Sequence, residues 1–143
     1  MNDKDSLISG KVLRQAKSQL EKKLDAVFSK YIRRKYSNDG EYVQCFTCGK
    51  WGAIKNMQAG HYHSRRFKSI RWDEKNVHVQ CVGCNLYHEG NKPQYTLKLI
   101  EKYGAEVLQE LEIKRVSGSR LDRFDLETLI GHYQKELKCI EQS

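Results

Sequence analysis

The sequence predicts an α+β protein: a small centre of short strands and turns, set between amphipathic helices. Three observations predict it. Apolar residues recur at helical spacing near both ends of the 143-residue chain. That period disappears between residues 42 and 91, where glycine, histidine and short apolar pairs take over. Within the aperiodic stretch lie two matched cysteine pairs, Cys45 with Cys48 and Cys81 with Cys84. The expected organisation is an N-terminal amphipathic helix in residues 1–40, a cysteine-bearing centre in 41–93 and a C-terminal helical region in 94–143, all within one domain's length.

The elements follow in order. Val12, Leu13, Ala16, Leu20, Leu24, Val27, Phe28, Tyr31 and Ile32 share one helical face, which runs out into Arg33-Arg34-Lys35 and a turn at Ser37-Asn38-Asp39-Gly40. Short strands are expected around 53–55, 58–62 and 77–79, then a short helix beginning near Cys81 or Val82. Pro93 opens a second helical stretch. It carries Leu97, Leu99, Ile100 and Tyr103 before Gly104, and Val107, Leu108, Leu111 and Ile113 after it, which reads as two helices or one bent one. Beyond a loop at Val116-Ser117-Gly118-Ser119, a last amphipathic helix carries Leu126, Leu129, Ile130, Tyr133, Leu137 and Ile140, with Asp125 as its expected N-cap.

Composition narrows the chemistry. Lys and Arg number 26 against 18 Asp and Glu, a formal charge of +8, so an anionic partner is expected and nucleic acid fits better than membrane. No run approaches the roughly 18 apolar residues of a spanning helix. The opening Met-Asn-Asp-Lys-Asp-Ser lacks the basic-then-apolar layout of a secretory leader, so a cytoplasmic location is expected. In a reducing compartment, paired cysteines serve as metal thiolates more readily than as disulfides.

Each C-x-x-C knuckle brings two sulfurs to one side of a tight turn, and two knuckles supply the four tetrahedral ligands zinc prefers. The competing readings, a redox pair or buried unligated thiols, do not account for two matched pairs. A four-thiolate zinc is closed to substrate and therefore structural. Cys139 stands alone on the last helix and reads as an ordinary thiol.

Between the knuckles lies Ala59-Gly60-His61-Tyr62-His63-Ser64-Arg65-Arg66, followed by Asn76-Val77-His78-Val79-Gln80-Cys81, with Asn85 directly after Cys84. This arrangement resembles the HNH nucleases of the ββα-metal fold. With Gly90-Asn91 and Tyr95 added, the pattern over about residues 45–112 resembles the NinG/Rap family of lambdoid phage recombination proteins, nucleases of branched DNA. The resemblance implies a zinc-stapled HNH core in which His61 is the general base, Asn76 holds the His61 ring, and Asn85 gives a carboxamide oxygen to Mg²⁺ or Mn²⁺. Many HNH enzymes carry Asp immediately before the base histidine as a second metal ligand; here that position is Gly60. His63, two residues on, is the expected substitute, with Asp73, His78 and His88 competing for the role. From the residues alone, Asn85 also reads as a helix cap, His78 as a packing residue beside the zinc, His132 as a surface side chain, and Gly90-Asn91 as a helix end.

Arg65, Arg66, Lys68 and Arg71, interleaved with Phe67 and Trp72, are expected to hold phosphates beside the cut. Arg33-Arg34-Lys35, Lys114-Arg115, Arg120 and Arg123 either extend that track or form a solvated face. The expected function is metal-dependent hydrolysis of DNA; by the resemblance the substrates are D-loops and Holliday junctions in the bacterial host cytoplasm, with recombination proteins as partners. A homodimer built from the flanking helices would suit paired incisions. A nicking, homing or restriction-type HNH endonuclease and a non-catalytic zinc module that binds DNA are the alternatives.

Overall fold

The computed structural model describes residues 3–142, with side chains from residue 9 onward. Met1 and Asn2, where the leader expectation begins, lie outside the described residues. Helix α1 (Asp3–Lys35) buries Leu24, Phe28, Tyr31 and Ile32 against the stripe Leu126, Ile130, Tyr133 and Leu137 of helix α4 (Arg123–Gln142). The rings of Phe28 and Tyr31 each stand 4.9 Å from that of Tyr133. Burial of each such side chain stabilises the fold by roughly 1.5–3 kcal/mol, so these helices form the main core instead of flanking it. Much of their apolar faces packs within one chain, while Val12 and Leu13 of α1 stay exposed. Asp125 is not the N-cap of α4. Its N–H donates to the Asp122 carboxylate at 2.8 Å and the Asp122 N–H donates back to Asp125 at 2.9 Å, a reciprocal capping box that starts the helix at Arg123.

Two small antiparallel sheets lie between the helices. Strands β1 (Tyr42–Gln44) and β2 (Trp51–Ala53) pair around the first cysteine knuckle. β1 escapes the sequence pattern because only Val43 of its three residues is buried. The strand expected at 53–55 is instead the end of β2 followed by a 3-10 turn, Ile54–Asn56. Strands β3 (Gln58–His61) and β4 (Val77–Gln80) pair with Gly60 opposite His78 and His61 opposite Val77. On β4, Val77 and Val79 join the α1–α4 core, while His78 and Gln80 turn to the other side. There a second core forms from Ile70 with Tyr95 and Leu99 of helix α2 (Lys92–Tyr103) and Val107 and Leu111 of helix α3 (Glu106–Val116). The open question of two helices or one bent one resolves as two, because Gly104 takes φ +92° between them. After β4, the segment Gly83–Tyr87 makes one wide helical turn, closed by the His88 N–H on the Gly83 carbonyl at 3.0 Å. No helix among the described residues is long and apolar enough to cross a membrane.

His78 is locked into the second core. Tyr95 gives its hydroxyl proton to the Gly60 carbonyl at 2.8 Å, and so accepts from His78 Nδ1 at 3.1 Å. Nε2 then accepts from Tyr103 at 2.9 Å, and the ring stacks on Phe46 with centroids 4.1 Å apart. Burial pushes the His78 pKa down to about 3, and the charges of Lys102 and Lys35 push the same way. The unfolded chain therefore takes up this proton first as pH falls below about 6.5. Stability is unaffected by His78 above that pH and should fall by up to about 1.4 kcal/mol per unit from there toward pH 3. Urea unfolding of wild type and His78→Gln at pH 7.5, 6 and 5 isolates the contribution, since other titrating groups are common to both. Parallel pH dependences would remove His78 from the account.

Candidate functional site

The four knuckle sulfurs come together. Cys45 and Cys48 lie on the turn between β1 and β2, Cys81 and Cys84 on the turn after β4, and all four Sγ atoms lie within 4.8 Å of one another. A zinc with bonds of about 2.3 Å requires tetrahedral sulfur–sulfur edges of about 3.8 Å; Cys48 and Cys81 are already 3.7 Å apart. The cluster can therefore hold a zinc ion. Burial opposes the Cys45 thiolate, but the N–H groups of Cys48, Cys81 and Thr47 and the Thr47 hydroxyl outweigh it and draw the pKa down to about 6. Burial and the neighbouring sulfurs push Cys48 up to about 12. One thiolate is thus favoured at Cys45 beside the Cys48 and Cys81 sulfurs, which burial pushes toward the protonated form, an imbalance a dication neutralises. Asn91 Nδ2 donates to Cys84 at 3.5 Å, a contact that ties the start of α2 to the cluster. Cys139 is exposed on α4, away from this set.

His61 and Asn85 line one open cleft of about 650 Å³, walled on the other side by α1. His61 ends β3, and its Nε2 donates to the Arg71 carbonyl at 2.8 Å; that fixes the tautomer and leaves Nδ1 as the unprotonated nitrogen. Burial holds the His61 pKa below the usual histidine range, Arg65 and Arg71 add to this, and the Arg71 carbonyl and Asp25 oppose it. Asn85 sits on the wide turn next to Cys84. Its Nδ2 donates to Gln58 at 2.7 Å, leaving the carboxamide oxygen as the group available to a cation.

Asn76 does not touch the His61 ring. Completely buried, it accepts from the His63 N–H at 2.8 Å and donates to the carbonyls of His63 and Ile70 at 3.1 and 3.2 Å. It thus pins both ends of the loop whose Arg71 carbonyl holds His61. Its role in orienting the ring is indirect.

Position 60 has no room for a carboxylate. A Cβ built on Gly60 falls 1.8 Å from Gln80 Oε1, and Gln80 is held in place by Thr47 and the Gly90 carbonyl. Nor does His63 substitute. β3 stops at His61, so strand alternation does not carry to residue 63, and the ring turns to Glu112 of α3 at 3.8 Å. Asp73 is paired with Lys114 at 2.6 Å, both His78 nitrogens are engaged by tyrosines, and His88 is not among the cleft's lining residues.

The basic loop is less available than its sequence suggests. Arg71, with 11% of its side chain exposed, is clamped between Glu21 and Asp25 of α1, and Trp72 Nε1 donates to Asp25 at 3.0 Å. Arg65 reaches Asp25 at 2.8 Å and Lys68 reaches Glu21 at 2.9 Å, though both remain largely exposed. Arg66 lies over the Phe67 ring at 4.8 Å. Arg71 is therefore a structural clamp and is not free to hold phosphate. Sequence reasoning missed Glu21, Asp25, Gln58 and Gln80; the one available signal was the Glu21/Asp25 pair at i, i+4 on a strongly basic helix.

The family model described as Bacteriophage Lambda NinG protein matches residues 2–143. "Protein ninG" of Escherichia phage 933W is 29% identical over 144 residues, covering 98% of this chain and 67% of that protein. The proteins of the same name from Salmonella phage P22 and Escherichia phage lambda are each 31% identical over 71% of this chain, which spans 49% of their length. No solved structure matches it.

Proposed function

As the chain belongs to the NinG family of phage proteins, we propose that it is a metal-dependent DNA endonuclease with an HNH, ββα-metal core, acting on branched recombination intermediates. The observation that carries this reading is the placement of His61 and Asn85 on one cleft, with the His61 ring fixed by a backbone carbonyl. The β3–β4 pair followed by a short helical turn supports the same core, and a zinc held by four cysteines would staple it.

In this reading His61 Nδ1 takes a proton from a water in the cleft. The resulting hydroxide attacks phosphorus, the bond to the 3′ oxygen breaks with its electron pair going to that oxygen, which takes a proton from solvent water, and His61 returns its own proton to solvent. The lowered pKa keeps His61 unprotonated, hence competent as a base, at neutral pH. Asn85 offers one oxygen, and Asp25 is already engaged by Arg65, Arg71 and Trp72, so the donor set suits a hard ion that retains most of its water, Mg²⁺ or Mn²⁺. Such an ion, when bound, neutralises charge on the scissile phosphate and the leaving oxygen.

The test is incubation of the zinc-loaded protein with a four-way junction, a replication fork and a matched linear duplex, with Mg²⁺, with Mn²⁺ or with neither. Cutting of the branched substrates that needs the ion is the expected result. Equal cutting of linear duplex would point to a general HNH endonuclease. Binding without cutting would favour a non-catalytic zinc module, the second reading, whose specific support is the missing carboxylate at Gly60.

A further inference from the structure

Of the four cations in the 65–71 loop, Arg65, Lys68 and Arg71 are paired with Glu21 and Asp25. Cations less answered by acids line a groove elsewhere. Lys22 and Arg33 of α1 and Lys55 of the 3-10 turn line the His61/Asn85 cleft, and they share it with Asp25, whose carboxylate is already taken up. Lys22, Asp25, Ala26, Ser29 and Arg33 fall on one stripe of α1, at steps of three and four residues. A second open cleft of about 440 Å³ shares Arg33 and Lys55 with the first and adds Lys30 and Arg34. Among the described residues, neither Lys22 nor Lys55 makes an ion pair. Lys30 and Arg34 meet only Glu141, at 3.9 and 3.7 Å and in solvent, contacts a phosphate can displace. Glu41 is the one further acid lining the second cleft. Arg33 is braced by bonds to the carbonyls of Ser29 and Ile54, which hold its guanidinium at the junction of the two clefts.

We propose that this groove along α1, running from His61 and Asn85 past Lys22, Lys55 and Arg33 to Lys30 and Arg34, is the track that holds the sugar-phosphate backbone of one DNA strand. The proposal rests on the nuclease reading for its ligand. At 1.5 Å of helix rise per residue the stretch from Lys22 to Arg34 is about 18 Å, the span of about five phosphates at roughly 3.4 Å each along the duplex axis. The five cations carry no base-reading geometry. They grip backbone beside the cut and leave sequence unread.

The test is anisotropy titration of a fluorescent four-way junction by the zinc-loaded full chain, with no added Mg²⁺ or Mn²⁺ and no chelator, at several salt concentrations. It compares wild type, Lys22→Ala/Lys55→Ala, and a control of equal charge change on exposed α4 positions, Lys135→Ala/Lys138→Ala. The track variant should flatten the slope of log K against log salt by about two, one per lost phosphate contact, with the control near wild type. Equal slopes for track variant and wild type, with wild type binding well, would overturn the track and leave the nuclease reading standing. Equal losses in both variants would likewise overturn it, as an effect of net charge alone. A wild type that does not bind the junction at all would remove both.

Discussion

Cys45→Ser and Cys84→Ser should each release zinc and unfold the protein. Both side chains are at most 4% exposed, and the two knuckles they belong to come from different parts of the chain. A zinc held by all four sulfurs would join the β1–β2 turn to the end of β4. Without it, β1 and β2 are a hairpin of three residue pairs, too little to stand alone. Zinc held by cysteine-rich sites contributes about 10–16 kcal/mol, against a net domain stability of about 5–15 kcal/mol. A serine hydroxyl is a poor replacement for thiolate, so losing one ligand should remove most of the cooperative thermal transition. Circular dichroism melts and metal content of the purified variants measure both effects. A variant that kept a wild-type melt while losing its metal would show the sulfurs to be packing groups and the zinc dispensable. Since Asn85 follows Cys84 directly, the same substitution should also disorganise the cleft.

The second large effect is on activity. His61→Ala should lower cleavage of a four-way junction by about 10²–10⁴-fold while leaving melting temperature and metal content near wild type. The separation follows from what the ring touches: it makes one hydrogen bond, to the Arg71 carbonyl, worth about 1 kcal/mol, and that loop is pinned independently by Asn76 and by the Arg71 clamp on Glu21 and Asp25. Asn76→Ala should behave differently. It leaves the half-buried His63 N–H and the His63 carbonyl without that partner, and the Ile70 carbonyl with the Asp73 N–H alone, so stability should fall along with activity. If His61→Ala cut DNA at the wild-type rate, the general-base assignment would be wrong whatever the fold did.

The contrast between these residues marks how far the sequence can be read. The cysteine knuckles and the helical character of both ends were legible, because each rests on local spacing: two residues between sulfurs, or three and four between apolar side chains; His61 was singled out by the family resemblance. Strand β1 was not, since three residues with one buried side chain carry no period. The misplaced cap at Asp125 has a similar origin. Asp122 and Asp125 each suit that position, and only their reciprocal bonds decide between them.

Fold class, the cluster of sulfurs and the excess of positive charge were therefore determined by the sequence itself, through composition and short-range pattern. Tertiary structure alone decided where that charge is free to act. Glu21 and Asp25 lie some 40 residues from the loop they neutralise, and Arg71 passes from apparent phosphate ligand to internal clamp when α1 packs across it. The same packing puts Lys22, Arg33 and Lys55 around His61, and it fills the space beside Gly60 with Gln80. Coulomb interaction and steric exclusion act over a few ångströms of space, and that distance is set by how helices and strands pack, not by separation along the chain.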